Sequence, residues 1–256
     1  MVPRCLTIAG SDSGGGAGVQ ADLKAFAAAG THGMSAIVAL TAQNTVGVSA
    51  VHQLPPEFVR AQLEAVFDDL GVDAAKTGML FSAPLIEVVG DVLDAHPVPL
   101  VVDPVMVASS GARLLEEDAV ETLVGRLLPL ATVVTPNLAE AEALAGEGTK
   151  RELAERIHAL GAPAVLVTGG HGEPVDHLFD GFCHLEIRVE RHEVGSTHGA
   201  GCTHSATLAA RLAHGDGLEA AAREAKRVAS EAVGDGLRDI GAGAGPVDVL
   251  GLARER

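Results

Sequence analysis

The sequence contains no tryptophan, no tyrosine and only six phenylalanines, so aliphatic side chains must fill any core that it forms. It is still apolar enough for a large core, because 47% of its 256 residues are hydrophobic. This composition excludes disordered and fibrous proteins. The length suits one α/β domain, and we expect residues 1–256 to form a single domain.

Cysteine is also scarce. Cys5, Cys183 and Cys202 lie far apart without the paired spacing of a zinc site, and this pattern also argues against a disulfide framework. No apolar run reaches the roughly 18 residues of a membrane span, and the first run is too short for a signal peptide. We therefore expect a cytoplasmic protein in a reducing compartment, with no membrane partner.

Basic residues are few compared with acidic ones. The chain has 18 Lys plus Arg against 34 Asp plus Glu, which gives a formal net charge of -16. Such a charge repels nucleic-acid phosphates, so nucleic acid is not an expected partner. Any phosphate that binds must be held locally by backbone N–H groups and one or two cations.

Short apolar segments alternate with segments of helical periodicity along most of the chain. The segments that indicate strands are 4–9, 34–42, 48–54, 73–79, 99–104, 132–137 and 163–170. The segments that indicate helices are 19–29, 57–71, 83–96, 116–128, 138–146, 150–161, 201–214 and 218–236. Residues 176–193 alternate around a central Asp-Gly and predict an antiparallel hairpin.

This order of elements predicts an α/β fold with a mainly parallel central sheet, helices on both faces and a small hairpin or lid at one edge. Ligands of such sheets collect at the carboxyl ends of the strands. The polar motifs of the chain follow these predicted strand ends, so we expect one binding cleft there.

The first predicted strand leads into a glycine-rich segment, residues 10–18, which we interpret as a binding loop. It has neither the GxGxxG spacing of a dinucleotide site nor the Gly-Lys-Ser/Thr ending of a P-loop. A tight turn with positive φ is the alternative interpretation. Asp22, just inside the following helix, either faces the same cleft or complements the helix dipole.

A second motif, residues 196–203 (STHGAGCT), lies where a loop becomes a helix. Successive N–H groups at a helix N-terminus suit a transferring phosphoryl group. The same position favours a thiolate, so we expect a lowered pKa for Cys202 and a role as the base. The alternative is that Cys202 is a small buried apolar residue and that its glycines permit close helix packing.

Seven segments in this order resemble the hydroxymethylpyrimidine and phosphomethylpyrimidine kinases of thiamin biosynthesis. They are AGSDSGGGAGVQADLKAF, MSAIVALTAQNT, AAKTGM, VVDPVM, TPNLAEAEAL, GGH and THGAGCT. The resemblance runs from about residue 5 to residue 235. It implies a ribokinase-like fold, ATP with Mg²⁺ as the phosphoryl donor, and a homodimer.

The resemblance also implies a role for individual residues. Gln43 would hydrogen-bond the pyrimidine ring and its amino group, since an amide offers both a donor and an acceptor. The rest of the substrate pocket would be formed by Gly10, Ala17, Asp22, Met79 and Val105. The ordinary alternatives are that Met79 and Val105 are core residues and that Gln43 is solvated.

Other residues would serve the phosphates. Gly199, Ala200 and Gly201 would form an anion hole, with Cys202 as the base. The Mg²⁺ ligands would be Asp103 and Glu140, because hard cations prefer oxygen. The nucleotide side would involve Asn137, Thr168, Gly170 and Lys226. Asn137 could equally be a helix cap, and Lys226 a solvated residue.

The chain departs from the pyrimidine-kinase pattern at three positions. Thr168 and Ser109 stand where that family has lysine, and Ala200 stands where it has threonine. Thr168 and Ala200 are typical of a pyridoxal-phosphorylating branch, but that branch lacks the Gln-Asn-Thr segment found here at 43–45. We expect a pyrimidine kinase, because Gln43 would contact the substrate itself, with pyridoxal kinase or dual activity as the alternative.

Two other classes of function stay open. Several histidines between residues 171 and 204 lie near Cys183 and Cys202, which could indicate a metal-binding module, although their spacing is poor for zinc. A ligand sensor that has lost catalysis is the second. The presence of Asp22, Glu140 and Cys202 argues against that loss.

Overall fold

The computed structural model describes residues 1–107, 111, 114–116, 118–169, 173–192 and 196–253. Strands form at β1 Arg4–Asp12, β2 His32–Gln43, β3 Val48–Gln53, β4 Ala74–Thr77, β5 Leu100–Val102, β6 Val133–Val134, β7 Val165–Val167, β8 Val175–Phe179 and β9 His184–Arg188. Helices form at α1 Gly18–Ala28, α2 Pro56–Ala65, α3 Ala83–Ala95, α4 Ala119–Arg126, α5 Leu138–Ala145, α6 Lys150–Ala159, α7 Ala200–Ala213 and α8 Leu218–Gly234.

The strands join one sheet in the order β3-β2-β1-β4-β5-β6-β7-β8-β9. The strands from β2 to β7 along this order are parallel to one another. β3 lies antiparallel at one edge, and the β8–β9 hairpin lies antiparallel at the other. The predicted mainly parallel sheet with an edge hairpin is confirmed.

Helices cover both faces of the sheet. A larger apolar cluster packs α2 to α6 against one face, with Leu63, Ile86 and Leu153 fully buried. A smaller cluster packs α1, α7 and α8 against the other face, and it is rich in alanine. Small side chains let α7 and α8 approach closely, so this layer is built without large aromatic residues. Parallel strands covered on both faces explain the Val- and Leu-rich segments of β5 to β7.

Three predicted boundaries were wrong. β1 continues past residue 9 to Asp12, because its end pairs with Leu40 and Thr41 of β2, so Gly10 lies in a strand. The helix predicted over 57–71 ends at Ala65 and continues as a π-helical turn, Val66–Leu70. The helix predicted over 116–128 is shorter, and a 3₁₀ turn containing Pro129 follows it, since proline lacks the N–H that a longer helix needs.

Candidate active site

The parallel strands end at a single cavity of about 570 Å³, which we call the binding cavity. Its walls are the residues that follow the strands, the N-terminus of α7 and one face of α8. This is where a doubly wound sheet binds ligands, and the volume suits a small molecule. Nearly all predicted site residues line it: Gly10, Ala17, Gln43, Met79, Asp103, Val105, Asn137, Glu140, Thr168, Gly199, Ala200, Gly201, Cys202 and Lys226.

Gln43, the last residue of β2, is fixed against the glycine-rich segment. Its backbone N–H donates to Ser13 Oγ at 2.8 Å, and the same hydroxyl donates to the Gln43 carbonyl at 2.7 Å. Thr41 Oγ1 lies 2.7 Å from the Ser11 carbonyl oxygen and 3.1 Å from Gln43 Oε1. These contacts hold the Gln43 amide at one end of the cavity.

Asp12, at the end of β1, joins the two glycine-rich motifs. Its carboxylate accepts hydrogen bonds from the N–H groups of Gly14, Gly16 and Ala17 at 2.8, 3.0 and 2.8 Å. His198 Nε2, from the second motif, lies 2.9 Å from Oδ2. Burial alone would raise the pKa of Asp12, but the bond from His198 and those from the loop N–H groups hold it below its usual range. The two motifs are therefore held together by one buried carboxylate.

The turn before α7 presents free backbone donors to the cavity. Gly199 has φ 84°, and a Cβ there would collide with the carbonyl oxygen of Gly16, so both the conformation and the close approach require glycine. Among the described residues, no side chain caps α7. The N–H groups of Gly201 and Cys202 have no backbone acceptor in the described part of the chain. They can therefore bind an anion.

A buried lysine lies beneath this turn. Lys76, in β4, has no exposed side-chain surface, and its Nζ lies 3.0 Å from Asp22 Oδ1 and 3.7 Å from Asp103 Oδ2. Burial alone would lower the pKa of Lys76, but Asp22, Cys202 and Asp103 hold it above its ordinary value. Lys76 therefore remains a cation at the floor of the cavity.

The predicted position of Asp22 was wrong. Asp22 is fully buried and does not line the cavity. Its carboxylate accepts from Thr7 Oγ1 at 2.6 Å and from Lys76 Nζ, so it lies behind the lysine. Asp22 thus positions Lys76 instead of contacting a ligand, because α1 packs directly onto the sheet at this point.

The predicted direction of the Cys202 pKa shift was also wrong. Burial, together with the Asp22 and Asp103 carboxylates, raises the pKa of the Cys202 thiol to about 12, although Lys76 and a backbone hydrogen bond from Gly18 oppose this shift. The helix N-terminus favours a thiolate only locally, and it is outweighed by the apolar enclosure and the nearby acids. The thiol is therefore protonated near neutral pH.

Two carboxylates face the cavity beside this cluster. Asp103 follows β5 and is 6% exposed, and its Oδ2 accepts from Ser205 Oγ at 2.8 Å. Glu140 forms a capping box with Asn137 at the start of α5, so the predicted helix cap is confirmed. Burial, and then the Asp103 charge, raise the pKa of Glu140 to about 8. Two acidic groups that repel each other in this way can accept a hard divalent cation.

The far end of the cavity carries a second buried ion pair. Lys226 Nζ lies 2.7 Å from Asp176 Oδ1, and His204 Nε2 lies 3.0 Å from Asp176 Oδ2. The N–H of Gly169 also donates to Asp176 at 2.8 Å. Burial alone would raise the pKa of Asp176, but His204 and Lys226 lower it to about 2. Lys226 is thus a buried cavity residue and not a solvated one.

Sequence reasoning missed several cavity residues. Lys76 could have been recognised as the one charged residue in the strand AAKT, and Asp12 as the first acid of the glycine-rich segment. His198 lies within the motif 196–203, but nothing local marks Asp176 as a site residue. Gly170, Ser109 and His171, which the sequence analysis also considered, lie outside the described residues.

The two histidines of the hairpin, His177 and His184, contact each other and do not line the cavity. His177 Nε2 lies 2.8 Å from His184 Nδ1, and His184 Nε2 lies 3.0 Å from Glu155 Oε1. Within the described ranges, no group of three or more His, Cys, Asp or Glu side chains is arranged to hold a metal ion. In the same part of the chain, no helix is both long and apolar enough to cross a membrane.

The sheet topology, the N–H groups at the start of α7 and the buried charges define a small-molecule kinase with a ribokinase-like fold. The family model for phosphomethylpyrimidine kinase matches residues 12–248, and the chain belongs to this family.

Three known proteins are similar over nearly the whole chain. The hydroxymethylpyrimidine/phosphomethylpyrimidine kinase of Streptomyces coelicolor is 48% identical over 96% of this chain and 94% of its own length. The thiamine biosynthesis bifunctional protein ThiED of Geobacter sulfurreducens is 49% identical over 98% of this chain, which spans only 52% of that protein. The solved ADP complex of Bacillus subtilis pyridoxal kinase is 37% identical, with a TM-score of 0.91 and 100% of both chains covered.

Proposed function

We propose that this protein transfers the γ-phosphoryl group of ATP to the hydroxymethyl group of 4-amino-5-hydroxymethyl-2-methylpyrimidine, and to the phosphate of the resulting monophosphate, in thiamin biosynthesis. The observation that carries this proposal is that one cavity holds an amide for the ring, Gln43, and free N–H donors for a phosphoryl group at Gly201 and Cys202. We also propose that the single domain works as a cytoplasmic homodimer.

The ring would bind at the end of the cavity formed by β1, β2 and β4. Gln43 would supply a hydrogen bond, the backbone near Gly10 and Ala17 would border the ring, and Met79 and Val105 would cover it with apolar surface. A Cβ at Gly10 would collide with the Met79 side chain, so glycine there leaves room for this methionine beside the ring. This arrangement would leave the hydroxymethyl group near the start of α7.

The phosphates would occupy the charged part of the cavity. The N–H groups of Gly201 and Cys202 would bind the transferring group beside Gly199 and Ala200, and Lys76 and Lys226 would supply positive charge on either side. Asn137 and Thr168 line the nucleotide side. Asp103 and Glu140 would hold Mg²⁺, which usually takes one or two protein carboxylates together with phosphate oxygens and neutralises their charge.

In the proposed reaction the hydroxymethyl oxygen forms a bond to the γ-phosphorus, and the bond from that phosphorus to the bridging oxygen of ADP breaks. Cys202 would take the hydroxyl proton as its thiolate. Because its pKa is about 12 without ligand, only a small fraction is thiolate at neutral pH. A loose phosphoryl-transfer transition state requires little early deprotonation, so positioning and charge would supply most of the catalysis.

Pyridoxal phosphorylation in the same cavity is the second candidate. Thr168 and Ala200 both line the cavity, and both are the residues expected of pyridoxal-phosphorylating relatives. The similar B. subtilis pyridoxal kinase covers the whole chain. The two candidates share the phosphate end, so they differ in what the Gln43 end would accept.

The deciding experiment compares kcat/KM for hydroxymethylpyrimidine, its monophosphate and pyridoxal with ATP and Mg²⁺. We expect both pyrimidines to be preferred over pyridoxal. A preference for pyridoxal would make it the physiological substrate, and turnover of none of the three would contradict a kinase of this type. Omitting Mg²⁺ serves as the control for metal-dependent transfer.

A further inference from the structure

The orientation of the Gln43 amide can be worked out from the hydrogen of one neighbouring hydroxyl. Thr41 Oγ1 lies 2.7 Å from the Ser11 carbonyl oxygen and 3.1 Å from one end of the Gln43 amide. A hydroxyl carries one hydrogen and two lone pairs, and a carbonyl oxygen can only accept. The Thr41 hydrogen must therefore point to Ser11, which is the shorter of the two contacts.

The atom of Gln43 that faces Thr41 then has to be a donor. An amide oxygen at 3.1 Å would meet a lone pair of Thr41, whereas an amide NH₂ would donate to that lone pair. Turning the amide by 180° exchanges Oε1 and Nε2 with almost no movement of the heavy atoms. With Nε2 turned toward Thr41, both contacts of the hydroxyl become proper hydrogen bonds.

The backbone around this amide is held in place by hydrogen bonds. Ser13 fixes the Gln43 backbone on both its N–H and its C=O. Gln20 fixes the neighbouring strand end, because its amide accepts from the Asp12 N–H at 2.9 Å and donates to Ser11 Oγ at 2.8 Å. Thr41 itself is only 8% exposed, so water does not readily replace it as the partner of the amide.

We infer that Thr41 is a positioning residue that turns Gln43 Oε1 toward the binding cavity, so that the site selects a ring bearing an N–H donor, such as an exocyclic amino group. The inference rests on the proposed function and adds to it the reason why one substituent would be preferred. A ring with a methoxy oxygen in place of the amino group would face Oε1 with a second acceptor and would bring no new N–H donor. Neither oxygen could then be satisfied, and a buried acceptor without a partner weakens binding.

The test compares two ligands that differ at this one substituent, the 4-amino and the 4-methoxy forms of 5-hydroxymethyl-2-methylpyrimidine. Their Kd values are measured by calorimetry without ATP on the full chain. We expect the wild-type protein to bind the amino form at least about tenfold more tightly. In Thr41→Val the amide is free to rotate, and the ratio should fall to within about threefold.

Two variants control this comparison. Thr41→Ser keeps the hydroxyl and should keep the preference. Ser49→Ala removes a hydroxyl that bonds the Ala42 carbonyl on the neighbouring strand outside the cavity, and it should also leave the ratio unchanged. If Thr41→Val fails to fold, Thr41→Ala replaces it, because it also lacks the hydroxyl that orients the amide, and the ratio should again fall to within about threefold.

The outcomes separate this inference from the proposed function. An unchanged ratio in Thr41→Val, or in Thr41→Ala where that variant replaces it, overturns the role of Thr41 while turnover of the pyrimidine still supports the kinase. Equal binding of both ligands by the wild-type protein overturns it in the same way. Binding of neither ligand, with no turnover, contradicts the inference and the proposed function together.

Discussion

The two ends of the binding cavity are built from different kinds of contact. At the Gln43 end the groups that hold the amide are uncharged, and hydroxyls, amides and backbone atoms satisfy one another. At the α7 end, Lys76 and Lys226 are buried with carboxylates at 3.0 and 2.7 Å. Neutral hydrogen bonds discriminate by the pattern of donors and acceptors, whereas buried charges respond to any ligand of opposite sign. We therefore expect selectivity at one end and shared phosphate chemistry at the other.

Asp12 connects the two ends of the cavity through hydrogen bonds. Its carboxylate holds the glycine-rich segment from one side and His198 from the other. The backbone of His198 also forms hydrogen bonds with Gly245 and Val247, so the C-terminal segment supports the contact between His198 and Asp12. The distance between the ring-binding and phosphate-binding motifs is thus fixed by buried contacts, which is what transfer between two bound groups requires.

The largest effect should come from Cys202→Ala. Loss of a group that takes the substrate proton should lower kcat by roughly 10²–10⁴. The pyrimidine Kd should change little, since the ring contacts lie at the other end. The wild-type rate should rise with pH above neutrality, because the thiolate fraction grows toward the pKa of about 12, and the variant should lack this rise. Unchanged kcat in the variant would remove Cys202 from the chemistry.

The second largest effect should come from Lys76→Met. It leaves Asp22 and Asp103 without their cation in a buried site, and breaking one partner of such a pair costs about 3–5 kcal/mol of unfolding free energy. The matched control is Arg4→Met, which removes the partly exposed Arg4–Asp73 pair and should cost less than about 1 kcal/mol. Urea denaturation measures both values. Equal losses in the two variants would contradict a special role for burial at Lys76.

Lys76 also illustrates what the sequence does not reveal. The apolar periodicity predicts the alternating elements and the edge hairpin, because each depends on neighbours a few residues away. The pairing of Lys76 with Asp22 joins residues 54 apart, and that of Asp12 with His198 joins residues 186 apart. The pairing of β4 with β1 brings Lys76 beneath α1, and the packing of the turn before α7 against the glycine-rich segment brings His198 to Asp12. No local pattern encodes either arrangement.

The cavity residues also divide into those that the sequence indicates and those that depend on the tertiary fold. The sequence indicated Gln43 and Asp103 through the family resemblance and their positions at predicted strand ends, and it indicated Cys202 because this residue begins a helix. The pKa of Cys202 could not be predicted from the sequence. The helix N-terminus is visible there, but the burial of the thiol and the neighbouring acids depend on the tertiary fold. Asp22 was placed in the cavity for a related reason: a helix position near a loop does not reveal which way its side chain packs.

A smaller effect concerns the stability contributed by Asp176. Its folded pKa of about 2 lies below the usual aspartate value of 3.8, so the ionised form stabilises the fold above pH 4. This contribution, on the order of 2 kcal/mol, should be lost as the pH falls from about 4 to 2. Asp176→Asn should remove this part of the acid dependence, while the exposed Asp94→Asn should not. Identical acid profiles for Asp176→Asn and the wild-type protein would contradict the assignment.

The smallest effect should come from Gln43→Met, and it bears most directly on the difference between the two ends. Loss of one neutral hydrogen bond at the ring should raise the pyrimidine Kd about tenfold. The ATP Kd should change by less than about twofold, because the buried charges that would face the phosphates are untouched. Calorimetric titration of each ligand measures the two values. An equal loss for pyrimidine and ATP would mean that Gln43 supports the whole cavity and that the ring end is not an independent site of selection.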